Sequence, residues 1–123
     1  GLCINPQQCA AQDEGAVMQG LGHTLLEEMV YEGGQLLNAD LAGYRVPRAG
    51  DLPPRLDTLF VENGDGAGPF GAKGVGEGGL IPVSPAVGNA LARLTGVRLR
   101  ELPMTPERVW RALRARTRPP TNP

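Results

Sequence analysis

Leu56-Asp57-Thr58-Leu59-Phe60-Val61-Glu62 runs straight into a glycine-rich stretch, residues 63–79, and from there into Ser84-Pro85-Ala86-Val87-Gly88-Asn89-Ala90. The first heptapeptide alternates enough to predict a strand. Glycine at nearly every second position of 63–79 predicts an irregular loop, because glycine favours neither regular element and tolerates backbone angles closed to other residues. In the third piece Ser84 reads as a helix N-cap and Pro85 as its first residue, where the missing N–H costs nothing. Ala86, Ala90 and Leu94 then line one face, and Gly96 is placed to end the helix. Strand, loop and helix in this order make the class α+β.

The same signals extend outward on both sides. Gly1-Leu2-Cys3-Ile4 reads like an interior strand entered midway. Asn5-Pro6 repeats the N-cap and proline start, and Ala10, Val17, Met18, Leu21, Leu25 and Met29 recur at helical spacing. Gly15, Gly20 and Gly22 each weaken that helix by roughly 1 kcal/mol relative to Ala, so something is expected to approach its backbone closely. Glu32-Gly33-Gly34-Gln35 predicts a turn between Met29-Val30-Tyr31 and Leu36-Leu37. Residues 44–54 are proline-punctuated and expected to be extended. On the other side, residues 97–102 predict a strand, and Thr105-Pro106-Glu107 opens a last helix through about Arg114. The expectation is about three helices with short strands in one small domain, residues 1–116, followed by a frayed tail over 117–123.

Composition limits what such a domain does. With 123 residues it has the length of one small domain. A net charge of -1 gives no overall field to attract nucleic acid or an anionic membrane. No apolar run is long enough to span a bilayer, and no signal peptide is evident. Hydrophobic residues make up 41% and aromatics 4%, thin for a self-sufficient core, while Gly 18 and Pro 12 together approach a quarter of the chain. A loop-rich piece that leans on something else for stability is expected. Cys3 and Cys9 are too few for a disulfide scaffold, and with His23 the only histidine they fit no zinc spacing. They read as packing residues, which fits a reducing, cytoplasmic setting. The arginines at 108, 111, 114, 116 and 118 make a basic end, either a phosphate or partner contact or a solvated helix end that suits the C-terminal dipole.

The chemistry is concentrated in Gly68-Pro69-Phe70-Gly71-Ala72-Lys73-Gly74-Val75-Gly76-Glu77-Gly78-Gly79. Glycine at this density lets backbone N–H groups face a ligand without Cβ atoms in the way. A carboxylate in the middle argues against a phosphate cradle, and neither the Walker pattern nor the dinucleotide fingerprint is met. Glu77 therefore reads as a working acid or base. Burial among glycine backbone, Val75, Leu80 and Ile81 would raise its pKa towards the range of a general base; the alternative is an incidental glutamate on a flexible surface loop. His23 reads as a helix residue rather than a ligand, and Glu27 and Glu28 as ordinary polar positions.

The order of blocks adds to this. Ile4-Asn5-Pro6, Glu14-Gly15-Ala16-Val17-Met18-Gln19-Gly20-Leu21-Gly22, Leu26-Glu27-Glu28, Tyr44-Arg45-Val46-Pro47, Gly71-Ala72-Lys73-Gly74-Val75-Gly76-Glu77 and Leu102-Pro103-Met104-Thr105-Pro106-Glu107 are collinear over about residues 1–115. This sequence resembles the last part of the molybdopterin-binding large subunit of the xanthine dehydrogenase / aldehyde oxidoreductase (molybdenum hydroxylase) family. The resemblance implies that the small domain is part of a larger molybdenum-cofactor-binding domain. It implies that Glu77 is the base beside a molybdenum centre, taking a proton from the hydroxide that attacks an electron-poor carbon of an aldehyde or N-heterocycle, with water as the oxygen source. Gln19 would hydrogen-bond the molybdenum–molybdopterin cofactor, Gly20 and Gly22 would permit its approach, and Gly74, Val75 and Gly76 would contact it through their backbone. Lys73 would pair with the cofactor's phosphate or with Glu77, or else lie at the surface. No residue of this chain is expected to ligate the metal.

The remaining cofactor contacts would come from the rest of the subunit. Iron–sulfur clusters and FAD are expected on partner domains or subunits, the pterin nucleotide form is left open with a cytosine dinucleotide among the options, and this piece alone would be inactive. Gly78-Gly79 replaces the proline pair found in some relatives and leaves the small-molecule substrate open. A non-catalytic scaffold or interaction domain derived from such a subunit is the alternative, distinguished by molybdenum content.

Overall fold

A computed structural model describes residues 1–117. Helix α1, Pro6–Leu25, begins as its local signals require. Asn5 is extended, its side chain accepts from the backbone of Gln8, and Pro6 occupies the first turn. The helix stops at Leu25 rather than Met29, and the backbone N–H groups of Leu26 and Glu27 both return to the carbonyl of Gly22. A minimal antiparallel hairpin follows, β1 (Tyr31–Glu32) against β2 (Gln35–Leu36), pairing Tyr31 with Leu36 across Gly33 and Gly34. Both glycines have positive φ, as a tight two-residue turn demands. Single 3-10 turns occur at Ala49–Asp51, Pro69–Gly71 and Gly78–Leu80. Helix α2 spans Val83–Thr95 and α3 spans Pro106–Thr117.

Several expectations are corrected. Residues 1–4, 56–62 and 97–102 form no strand, because a strand needs a ladder partner and this chain presents none to them. Residues 44–54 are interrupted by the 3-10 turn at Ala49–Asp51. Ser84 does not cap α2, which starts at Val83 with Pro82 in the cap position. Its hydroxyl instead meets Thr24 on α1 at 2.7 Å. Helix α3 runs on past Arg114 to Thr117. The remainder of the expected frayed tail lies outside the described residues. Gly96 does end α2, in the left-handed conformation at φ 70.

The core is small. Its buried hydrophobic side chains are Ala16, Val83 and Met104, with Thr24 fully buried beside them. Thr24 ties three pieces together. Its hydroxyl donates to the carbonyl of Gly20, its side chain meets Ser84 of α2, and its carbonyl accepts the N–H of Met104. A Cβ on Gly20 would lie 2.7 Å from Cγ2 of Val83 and 3.1 Å from the carbonyl oxygen of Leu80. The close approach expected at α1 is thus made by α2 and the 3-10 turn before it. At Gly22 the approaching groups are Glu27 and Pro47.

Candidate functional site

The glycine loop is anchored at both ends. On one side the N–H of Leu2 donates to the carbonyl of Gly71 at 3.2 Å, the amino group of Gly1 to Asn63, and the N–H of Cys3 to Glu62. Phe70, at φ 56 and ψ 23, turns the chain there. A bulky residue in the left-handed region is strained by about 1–3 kcal/mol, and the turn is shared with Gly71 at φ 73. On the other side the 3-10 turn Gly78–Leu80 lies on α1, where a Cβ on Gly79 would meet the Asp13 side chain.

Between these anchors the backbone is open. Cβ atoms added at Gly74, Gly76 or Gly78 would find nothing within 4 Å. Among the described residues no acceptor is met by the N–H groups of residues 73–79. The loop borders recesses of about 490 Å3, with Ala67, Gly68, Pro69, Ala72, Lys73 and Gly74, and about 390 Å3, where Val75 and Lys73 face Gln8 and Gln12 of α1. Unspent, uncrowded donors beside a recess fit an acceptor-rich group such as a pterin or a phosphate.

Glu77 sits at the start of the last 3-10 turn and is exposed. Its carboxylate makes no hydrogen bond or ion pair among the described residues. The expected burial is not supplied by this chain, since Val75 and Ile81 are themselves exposed. Lys73 does not reach it: its ammonium pairs with Asp65 at 2.7 Å. Gln19 borders a different recess, of about 400 Å3, with Met18, Glu27, Pro47, Arg48, Ala49 and Leu52. It lies seven positions after Gln12, so the two share one face of α1.

Contacts far apart in sequence account for other polar groups. Glu27 accepts from Tyr44 at 2.8 Å, and that bond, with partial burial and the glutamate's charge, raises the tyrosine's pKa. Glu28 pairs with Arg108 of α3 at 2.6 Å, joining the end of α1 to the last helix. Neither role was signalled by the residues' spacing. His23 lies 3.7 Å from Glu27. The arginines of α3 are used locally: Arg111 pairs with Glu107, Arg114 stacks over Trp110, and Arg116 donates to the carbonyl of Thr95; Arg118 lies outside the described residues. Cys3 and Cys9 are free thiols, and partial burial, a hydrogen bond with Cys9 and the charges of Cys9 and Glu62 push the Cys3 thiol up to about 11. Among the described residues no three His, Cys, Asp or Glu side chains group as a metal site, and no helix is long and apolar enough to cross a membrane.

A family profile described as "Molybdopterin cofactor-binding domain" matches residues 1–53. The chain is 37% identical over 114 residues to the "Probable hypoxanthine oxidase XdhD" of Escherichia coli (strain K12), covering 92% of this chain and 12% of that protein. It is 40% identical over 108 residues to the "Aldehyde oxidoreductase molybdenum-binding subunit PaoC" of the same organism, covering 85% and 15%. The crystal structure of quinoline 2-oxidoreductase from Pseudomonas putida 86 superposes with a TM-score of 0.74 at 36% identity, covering 97% of this chain and 15% of that one. The chain is a molybdopterin-binding segment of the molybdenum hydroxylase family. It spans only about an eighth to a seventh of the length of these relatives. An α+β segment of three helices and a two-stranded hairpin within a larger molybdenum-binding enzyme is what such a match requires.

Proposed function

We propose that this molybdenum hydroxylase segment contributes the general base and part of the cofactor cradle of an enzyme that oxidises an aldehyde or an N-heterocycle with water as the oxygen source. The observation that carries the proposal is the Glu77 carboxylate, free of any partner, following directly on Gly74, Val75 and Gly76, whose N–H groups are unspent and uncrowded. The molybdenum–molybdopterin group, when bound, supplies the two-electron oxidation and the acidified oxygen nucleophile.

The chain's own residues position and deprotonate. Glu77 accepts a proton at a carboxylate oxygen, which requires it to be ionised before the reaction. Covering Glu77 with the rest of the subunit excludes water from that proton transfer. The N–H groups of Gly74, Val75 and Gly76 donate to the cofactor, and the Gln19 amide donates from the neighbouring recess. Gly20 serves the same site at one remove, by letting the turn that follows Glu77 lie against α1. The metal takes no ligand from these residues.

The likeness to molybdenum-binding subunits supports further parts of the reading. Other cofactor contacts come from the rest of the subunit, and iron–sulfur clusters and FAD on partner domains or subunits remove the electrons. The pterin's nucleotide form is left open, a cytosine dinucleotide included, and the assembly is taken as cytoplasmic and this segment alone as inactive.

The test is Glu77→Gln in the assembled enzyme. General-base removal lowers turnover by about 10²–10⁴-fold while one molybdenum per large subunit is retained. Turnover within tenfold of the parent removes Glu77 from the role. Absence of molybdenum from the parent protein under cofactor-sufficient expression points instead to a scaffold domain.

A further inference from the structure

Residues 56–62 belong to no helix, turn or strand and are unpaired. None of them gives or takes a main-chain hydrogen bond among the described residues. Their side chains nevertheless keep the two-residue period of a strand. Leu56 and Thr58 are half-buried, Thr58 reaching Asp13 at 3.4 Å, and Phe60 is 41% exposed beside Cys3 and Cys9. On the alternate face, Leu59 is 89% and Val61 93% exposed.

Single exposed apolar side chains are ordinary. Two on one face of an unpaired backbone are not, because proteins protect such edges with charge, proline or a bulge. Charges flank Leu59-Phe60-Val61 at Asp57 and Glu62, but both are engaged within the chain, Asp57 by Arg55 and Glu62 by the N–H of Cys3. We propose that residues 56–62 form a sheet edge completed by main-chain pairing with an extended apolar segment from the rest of the same molybdenum-binding subunit. The occupant follows from proportion. The chain is about an eighth to a seventh as long as its relatives, and its own buried apolar set is Ala16, Val83 and Met104. The covering strand therefore has to come from outside this chain, and the rest of the subunit is what XdhD and PaoC carry on the same polypeptide beyond the matched segment. The proposal rests on the reading of the chain as a segment of that larger subunit.

Residue-resolved amide hydrogen exchange on the whole large subunit tests it. Pairing along one edge slows alternate amides within 56–62 by about a hundredfold, and Leu59→Asp removes that protection. Unprotected amides, or uniform slowing without alternation, overturn the proposal. So does protection in the large subunit that grows with its concentration, since the occupant is then a second copy. Molybdenum measured on the same samples separates the two readings. Alternating protection without molybdenum keeps the strand and removes the catalytic assignment; molybdenum with unprotected amides does the reverse.

Discussion

The hydroxyls of Thr24 and Ser84, sixty residues apart, lie 2.7 Å from each other at the crossing of α1 and α2. Thr24 is fully buried and gives its proton to the carbonyl of Gly20, so Ser84 donates to Thr24. Thr24→Val keeps the shape and leaves Ser84 without its acceptor, which destabilises by about 1–3 kcal/mol. Ser84→Ala leaves the Thr24–Gly20 bond intact and costs about 0.5–1.5 kcal/mol. Because the two side chains share one bond, the double variant loses less than the sum. Urea unfolding of the four proteins measures this, and strict additivity would refute the coupling.

Two glycines of the same helix respond oppositely to alanine. At Gly15 an added Cβ meets nothing within 4 Å, so Gly15→Ala gains helix propensity of up to about 1 kcal/mol. At Gly20 the same atom meets Val83 at 2.7 Å, and overpacking of about 1–3 kcal/mol outweighs the propensity gain. Gly20→Ala therefore lowers the melting temperature where Gly15→Ala raises it, and Val83→Ala placed beside Gly20→Ala brings no rescue, because the Cβ of residue 83, 2.8 Å from the added atom, is kept.

Tyr44 titrates above its usual range near 10 because its hydroxyl donates to Glu27. The sign follows from the neutral phenol being the favoured form in the folded state. The bond's contribution is complete below the unfolded tyrosine pKa and is lost as the pH rises through the higher folded value. Tyrosinate absorbance followed through alkaline titration shows the late component, and Glu27→Gln moves it back down. An unchanged titration in that variant removes Glu27 as the cause.

Local chemistry was readable in the sequence and pairing was not. Asn5 and Pro6 start α1, Gly33 and Gly34 turn the hairpin, and Gly96 stops α2, because each signal acts within a few residues. Residues 56–62 carry a strand's alternation without a strand, since no ladder partner meets them among the described residues. Ser84 looked like a cap because its hydroxyl suits one, yet a contact across sixty residues claims it. Glu27 and Glu28 looked ordinary for the same reason; their partners are Tyr44 and Arg108. At the site, Glu77 was singled out by its glycine loop and by the collinear blocks around it, while its exposure was not legible, because burial depends on neighbours distant in sequence.

Gly1 bears on the same loop from the other end of the sequence. A Cβ there would lie 2.6 Å from the backbone nitrogen of Lys73 and 2.8 Å from the carbonyl of Gly71. A side chain at this position would therefore press on the main chain of the glycine loop itself, where a residue-one substitution would look remote in sequence from anything it disturbs.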